Sequence, residues 1–209
     1  MKIGIVGAGS IGATVARLLV KAGHEVALSN SRGADSLRAL VAELGDKAQA
    51  LPIEQAVQFG DVVLIAIPFG KYTTLPVEPF YDKVVIDANN YYPDRDGQFA
   101  ELDNGQITSS ELLEDHLKGA RVVKGFNTIY FAHLATQANT ALPVEDRRAI
   151  FIAGDDSQAK ETVSKLIEDI GFAAVDNGFL PEGGRTQQPG AEIYNKELTA
   201  KEAQNILSR

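Results

Sequence analysis

Residues 2–12 read KIGIVGAGSIG: a short apolar run, then Gly7, Gly9 and Gly12, then the opening of a helical pattern. A GxGxxG spacing is weak evidence by itself, but between a strand and a helix it marks a dinucleotide-binding turn. The glycines differ in role. Gly7 allows the tight turn, Gly9 lets backbone approach a pyrophosphate, and Gly12 permits close packing of helix on strand. The free N–H groups at the helix start then face the phosphate charge.

The next strand, residues 25–30 (EVALSN), decides which dinucleotide. An acidic residue about 20 positions after the glycines normally accepts hydrogen bonds from the ribose hydroxyls of NAD. Here the strand runs out into Asn30, Ser31 and Arg32. A carboxylate would repel a 2′-phosphate, whereas a hydroxyl and a planar guanidinium both donate to phosphate oxygens, the latter bidentately. The alternative for Arg32 is a solvated loop residue, but its place at the end of the second strand favours the phosphate. The cofactor implied is NADP(H).

Outward from this unit, apolar runs alternate with helical patterns, the mark of a doubly wound α/β fold with a mostly parallel sheet. Residues 10–23 put Ile11, Val15, Leu18 and Leu19 on one helix face, with Gly23 as the stop. A second helix is expected over 34–45, a short strand near 48–51 and a brief helix over 53–60. DVVLIAIP (61–68) has the near-continuous apolar character of a central parallel strand, and KVVIDANN (83–90) follows it. After a polar loop over 91–106, Thr108 and Glu111 have capping-box spacing before the helix 109–117. Strands at 121–129, 148–154 and 172–178 then alternate with helices at 131–138 and 157–171. The tail 179–198 is rich in Gly, Pro and Gln and reads as loop, and Thr199 and Glu202 repeat the capping-box spacing before a final short helix. One NADP-binding Rossmann domain over 1–209 is the economical reading, with the loop and helix from about 178 as a short C-terminal extension.

The totals narrow the function. The 209 residues allow one sizeable core but no large separate substrate domain. The net charge of −8 and the scattered basic residues argue against nucleic acid. An anionic substrate would need local positive charge, which draws notice to Arg32, Lys71 and Lys124. The absence of cysteine removes disulfides, thiolate catalysis and sulfur-ligated metal. The start lacks a signal-peptide pattern and no apolar run has the length of a membrane span. A soluble cytoplasmic protein is expected, without membrane contact.

The chain resembles the NADP oxidoreductases that work with a deazaflavin coenzyme, and the NADPH-binding domain of eukaryotic membrane metalloreductases. The resemblance rests on residues 2–26, on SNSRG (29–33), DVVLIAIPFG (61–70), VVIDANNYYP (84–93), RVVKGFNTI (121–129) and VDNGFLPEGGR (175–185). It implies a hydride shuttle between NADPH and a flavin-like ring, with a small-molecule acceptor and a homodimer as the assembly. Residue by residue it implies Ser10 and Ile11 at the pyrophosphate and Ser31 and Arg32 at the 2′-phosphate. Ile67, Pro68 and Phe69 would border the adenine and ribose side, and Asn89, Asn127, Thr128 and Ile129 would surround the nicotinamide. The C-terminal segment 192–207 would be available for the dimer contact.

No side chain reads as catalytic. Dehydrogenases of alcohols need a general acid or base, yet His24, His116 and His133 each sit in contexts that read as structural. Lys124 could act as an acid or base, attract an anion, or be a plain structural or surface lysine. Hydride transfer to a flavin-type ring asks only that two flat rings be held together and water excluded. Tyr91, Tyr92, Tyr130 and Phe131 are candidates for lining that cleft. The acidic stretch 94–97 lacks the later ligands of a calcium loop, and no metal is expected. Two further readings stay open: a 3-hydroxy-acid or prephenate type dehydrogenase, and a dinucleotide-binding sensor without turnover.

Overall fold

The computed structural model describes residues 1–208, and Arg209 lies outside the described residues. In chain order the elements begin β1 (Lys2–Val6), α1 (Ser10–Lys21), β2 (Glu25–Ser29), α2 (Arg38–Leu44), β3 (Ala48–Ala50), α3 (Ile53–Phe59) and β4 (Val62–Ile65). The middle of the chain forms β5 (Val84–Asp87), α4 (Pro93–Asp96), α5 (Ala100–Asp103), α6 (Ser109–His116) and β6 (Arg121–Lys124). It closes with α7 (Phe131–Thr136), β7 (Ala149–Gly154), α8 (Ser157–Asp169), β8 (Ala173–Asp176), α9 (Leu180–Thr186) and α10 (Ala200–Leu207). Eight strands form one sheet in the order β3-β2-β1-β4-β5-β6-β7-β8. Every neighbouring pair is parallel except β6 and β7, which run antiparallel. The order reverses between β1 and β4, and in such folds ligands bind outside the carboxyl ends of the strands at that point.

The apolar runs are explained by burial on both faces. Ile3, Ile5, Leu28, Leu64 and Ile86 point to one side, where α1 supplies Val15 and Leu19 and α8 supplies Val163, Leu166 and Ile167. Val6, Val63, Ile65, Val85 and Val122 point to the other, against Val57, Phe80, Leu113 and Leu117. Each such side chain stabilises the fold by roughly 1.5–3 kcal/mol on burial. Among the described residues, no helix is long and apolar enough to cross a membrane.

Both capping boxes form, with Thr108 and Thr199 accepting from the backbone of Glu111 and Glu202. Several stretches differ from the sequence expectation, among them the strand expected over 121–129, which ends at Lys124. Residues 34–45 start as a 3-10 turn (Ala34–Leu37), tightened by the Ser36 hydroxyl donating to Gly33 O, before α2 begins. The polar loop 91–106 contains the short helices α4 and α5. The tail is not simply loop: α9 forms with Pro181 in its first turn, a place where a missing N–H costs nothing. Its glycines serve close packing, since a Cβ on Gly183 would lie 2.6 Å from Asn177 O and 2.7 Å from Ala153 Cβ. Beyond it, Ile193 joins Ala200 and Ala203 of α10 in a cluster with Phe151 and Val175.

Candidate functional site

The cleft opens where β1 and β4 deliver their chains in parallel. Gly7 has φ +100°, and a Cβ there would lie 2.2 Å from Ala66 O. A Cβ on Gly12 would lie 1.9 Å from Gly7 O. These two glycines are demanded by the fold itself. Gly9 differs: a Cβ there meets nothing within 4 Å, so its missing side chain leaves the cleft floor open. Gly9 also caps α1 without a side-chain bond, and no acidic residue stands in the first turn. The N–H groups of the helix start are therefore free to meet an anion.

Gly9, Ala66, Ile67 and Pro68 border two connected lobes. The first, a cationic lobe of about 540 Å³, is lined by Asn30, Ser31 and Arg32 after β2 and by Lys71 and Leu75 after β4. Asn30 shapes the wall: its Oδ1 accepts from the Arg32 backbone N–H at 2.9 Å, and its Nδ2 donates to Ser36 Oγ at 2.9 Å. The Arg32 guanidinium and the Lys71 ammonium make no hydrogen bond or ion pair among the described residues. The expected neighbour Phe69 does not reach this lobe. It is fully buried, with its ring stacked 4.8 Å from Tyr72 and edge-on to Tyr91 and Phe99. Tyr91 belongs to the same aromatic nest, its hydroxyl donating to Asp103 Oδ1 at 2.8 Å, and likewise does not line the cleft.

The second, an aromatic lobe of about 320 Å³, gathers Ser10, Ile11, Asn89, Asn127 and Ile129 with Tyr92, Tyr130 and Phe131. The chain after β6 turns at Phe126, whose φ of +64° is rare for a bulky residue. That turn aims Asn127 and Ile129 at the lobe, while Thr128, also expected there, lies buried behind it. Asn127 Nδ2 donates to Gln187 O at 2.8 Å and to Asn90 Oδ1 at 3.1 Å, leaving its own Oδ1 without a partner. Asn89 Oδ1 accepts from Ile67 N–H at 2.9 Å, and its Nδ2 is also unpartnered.

Lys124 takes the structural one of its three readings. It does not face the lobe as acid, base or anion attractor: it is 0% exposed and sealed beneath it. Its Nζ donates to Ser110 Oγ at 2.9 Å and Asn89 O at 3.1 Å and stands 3.3 Å from Asp87 Oδ2. Asp87 Oδ1 in turn accepts from Asn89 N–H at 3.0 Å. The buried pair, set opposite in the β5–β6 register, thus grips Asn89 by both backbone groups. None of the three histidines lines the cleft. His24 contacts Asp169, His116 Nε2 contacts Leu75 O, and His133 pairs with Glu197.

Among the lining residues that went unread in the sequence are Asn90, Arg95, Tyr194 and Asn195. Tyr194 comes from the tail, and its hydroxyl lies 2.5 Å from that of Tyr92. Burial pushes the Tyr194 phenol up to about 12, with the Tyr92 hydroxyl adding to the effect. Arg95 holds its guanidinium 4.9 Å from the Tyr92 ring centroid and donates to Asn90 O at 2.7 Å. Burial alone would raise its partner Asp96, but donors from Arg95, Tyr92 N–H and Gly70 N–H outweigh that and hold the carboxyl low. No local signal marks these residues, because Arg95 hides in an acidic turn and Tyr194 in a run with no periodicity.

Known proteins share parts of this sequence and this fold. The sequence profile of the family described as NADP oxidoreductase, coenzyme F420-dependent, matches residues 2–91. The hypothetical protein SMa0349 from Sinorhizobium meliloti is 31% identical, with a TM-score of 0.82 over 95% of both chains. An Arthrobacter sp. FB24 protein provisionally assigned as an F420-dependent NADP reductase shares the fold, with a TM-score of 0.74 at 19% identity over 95% of this chain and 99% of that one. Metalloreductase STEAP3 of Rattus norvegicus is 29% identical over 181 residues, which is 86% of this chain but 34% of that protein. The chain therefore spans about a third of the length of that curated relative. On this fold, this cleft and these matches, residues 2–91 form a domain of the coenzyme F420-dependent NADP oxidoreductase family, and the chain is an NADP-dependent oxidoreductase.

Proposed function

We propose that the chain passes hydride between NADP(H) and a flavin- or deazaflavin-type acceptor seated in the same cleft. The observation that carries the reading is the two-lobed cleft itself: unpaired cations, Arg32 and Lys71, at one end and aromatic walls at the other. The residues present fit the dinucleotide. Gly9 leaves open floor where a side chain would block a diphosphate. Asn89 and Asn127 border the aromatic lobe, and each keeps one buried amide atom without a partner, the donor Nδ2 of Asn89 and the acceptor Oδ1 of Asn127. A carboxamide presents one group of each kind. In this reading Ser10 and Ile11 hold the diphosphate, and Ser31 and Arg32, with Lys71 opposite, hold the 2′-phosphate. Ile67 and Pro68 bound the adenosine side, and Ile129 packs beside the nicotinamide.

When bound, NADPH supplies the hydride. The chain's own part is to hold two rings in contact and keep water out. Ile11, Ile129, Tyr92 and Phe131 give the apolar and aromatic walls for that. The homodimer remains part of the proposal. In the segment assigned to its contact, Ile193 is buried and Tyr194 lines the cleft, so the contact would use the outer face of α10. A dimer mass in solution at micromolar concentration is expected, and a monomer would remove this part.

The test is stopped-flow oxidation of NADPH against a panel of riboflavin, FMN, a 5-deazaflavin, a ferric chelate and 2-keto acids. Turnover with the flavins or the deazaflavin is expected. Turnover with a keto acid alone would replace this reading by a hydroxy-acid dehydrogenase. Tight NADPH binding with silence toward every acceptor would replace it by a sensor.

A further inference from the structure

The hydroxyls of Tyr92 and Tyr194 are left without a task by a hydride shuttle that works through positioning alone. Tyr92 precedes α4, and Tyr194 arrives from the tail 102 residues later. Their hydroxyls meet at 2.5 Å, and both side chains line the aromatic lobe. The approach is held by the fold. Asn127 Nδ2 donates to Gln187 O at 2.8 Å and fixes the exit from α9. Tyr194 then sits between the buried Ile193 and Asn195, whose φ of +56° turns the chain out again.

Two hydroxyls at this distance share one proton bridge, so one oxygen donates and the other keeps a free O–H. The exposures give the pair a direction. Tyr194 is half-buried, whereas Tyr92 is 36% exposed and open to solvent. If Tyr92 donates to Tyr194, the Tyr194 proton is the one free to turn into the lobe, and water can reload Tyr92 from outside. The charged groups around the pair are Arg95 and Asp96 of α4, with the neutral Asn195 from the tail. The Arg95 guanidinium over the Tyr92 ring favours negative charge on that phenol while a proton is in transit.

We infer that Tyr194 is the proton donor to the acceptor and that Tyr92 is its relay to solvent. The inference rests on the hydride-transfer reading of the same cleft and deepens it. The acceptor is then a heteroaromatic ring that must take up one proton on nitrogen for each hydride received. In the balance, the dihydronicotinamide loses a hydride and is oxidised, and the acceptor gains that electron pair and is reduced. The Tyr194 O–H bond breaks toward the acceptor nitrogen, the Tyr92 O–H bond breaks toward the Tyr194 oxygen, and one solvent proton restores Tyr92.

The burial that pushes Tyr194 up to about 12 keeps the donor protonated throughout the neutral range. A positioned acid contributes on the order of 10²–10⁴-fold. Tyr194→Phe should therefore lower kcat with riboflavin or a 5-deazaflavin by roughly 100-fold, with the NADPH dissociation constant unchanged. The solvent deuterium isotope effect on kcat should vanish with it. Tyr92→Phe, which keeps the donor and removes the relay, should give a smaller loss.

A second readout needs no turnover. Ultraviolet difference titration of the protein alone should show a highest tyrosine step near 12, absent in Tyr194→Phe. Turnover that survives Tyr194→Phe with an unchanged isotope effect overturns the donor role and leaves the hydride shuttle standing. Wild-type silence toward every acceptor overturns both. A highest step that persists in Tyr194→Phe, with the lost phenol coming out of the ordinary range, overturns the coupled pair whatever the kinetics show.

Discussion

The cationic lobe takes Asn30, Ser31 and Arg32 from a single turn and leaves the Arg32 side chain exposed and without a protein partner. The aromatic lobe is assembled from segments far apart in sequence, tied by Asn127 to Gln187, Tyr92 to Tyr194 and Lys124 to Asp87. Its polar groups are largely buried, and they brace one another. A site made of exposed, unpaired groups can be altered with little effect on the fold. One whose buried groups brace one another cannot, because removing a partner strands the other in a dry environment. The two ends of one cleft should therefore answer mutation differently, one in affinity and the other in stability.

The strongest break is Lys124→Met. It keeps the length of the side chain but leaves the Asp87 carboxylate buried and unpaired, which costs roughly 3–5 kcal/mol. Urea denaturation should show this as a lower midpoint with an unchanged slope. The double variant Lys124→Met with Asp87→Leu should recover most of the stability, since an apolar pair of similar volume is often neutral. It should still bind NADPH more weakly than wild type, because Asn89 has then lost both grips on its backbone. Full recovery of binding would mean that the pair serves the fold alone and that the lobes differ less than described.

Arg32→Glu probes the opposite end. NADPH affinity should fall by about 2 kcal/mol, as a phosphate contact becomes a repulsion, and NADH affinity should change little. Folding stability should stay within roughly 0.5 kcal/mol of wild type, as for an exposed residue without partners. Calorimetric titration with both nucleotides, set beside a denaturation curve, measures each quantity. A wild type that already prefers NADH would refute the assignment of this lobe.

The same contrast explains what could be read from the sequence. The strand, turn and helix at residues 2–21 and the turn at 30–32 are local: spacing fixes which backbone groups meet, and the structure places them as expected. Asn89, Asn127 and Ile129 were within reach because they follow strand ends. Phe69 and Thr128 show the limit, since residues at the same strand ends face away when the chain turns, and apolar character does not say which way. Lys124 was invisible as a buried ion, because nothing in RVVKGF shows that Asp87 stands opposite it across the sheet. Tyr194 lay in a stretch without periodicity, and the glycines of α9 read as breakers until their close contacts with Asn177 and Ala153 were seen.

Gly9→Ala sharpens the comparison within the glycine turn. Its Cβ enters open space, so the fold should tolerate it, whereas the methyl should obstruct the diphosphate. NADPH binding about tenfold weaker, or about 1.4 kcal/mol, with little change in melting temperature is the expected result. Gly12→Ala should do the reverse, since its Cβ would press on Gly7 O and the fold would suffer first. Equal losses of stability in both variants would refute the separation of structural from cleft-facing glycines.

The smallest effect concerns His24, at the far end of α1 from the cleft, where the turn into β2 meets Asp169 of α8. Burial holds the imidazole below its ordinary value of 6.5, and the Met1 ammonium adds to the depression against the opposing pull of Asp169. A depressed value means that the unfolded chain takes up this proton first as pH falls. The contribution to stability is therefore complete above 6.5 and is lost as pH drops through the lower, folded value. The melting temperature of wild type should decline over that interval, and His24→Gln, which cannot take up the proton, should decline less. Because His24 joins the first helix to the last long one and touches neither lobe, NADPH affinity measured in the same interval should follow the same course in both proteins. A divergence there would show that acid loosens the turn of α1 as well as the fold, and would tie the cationic lobe to the stability of the sheet.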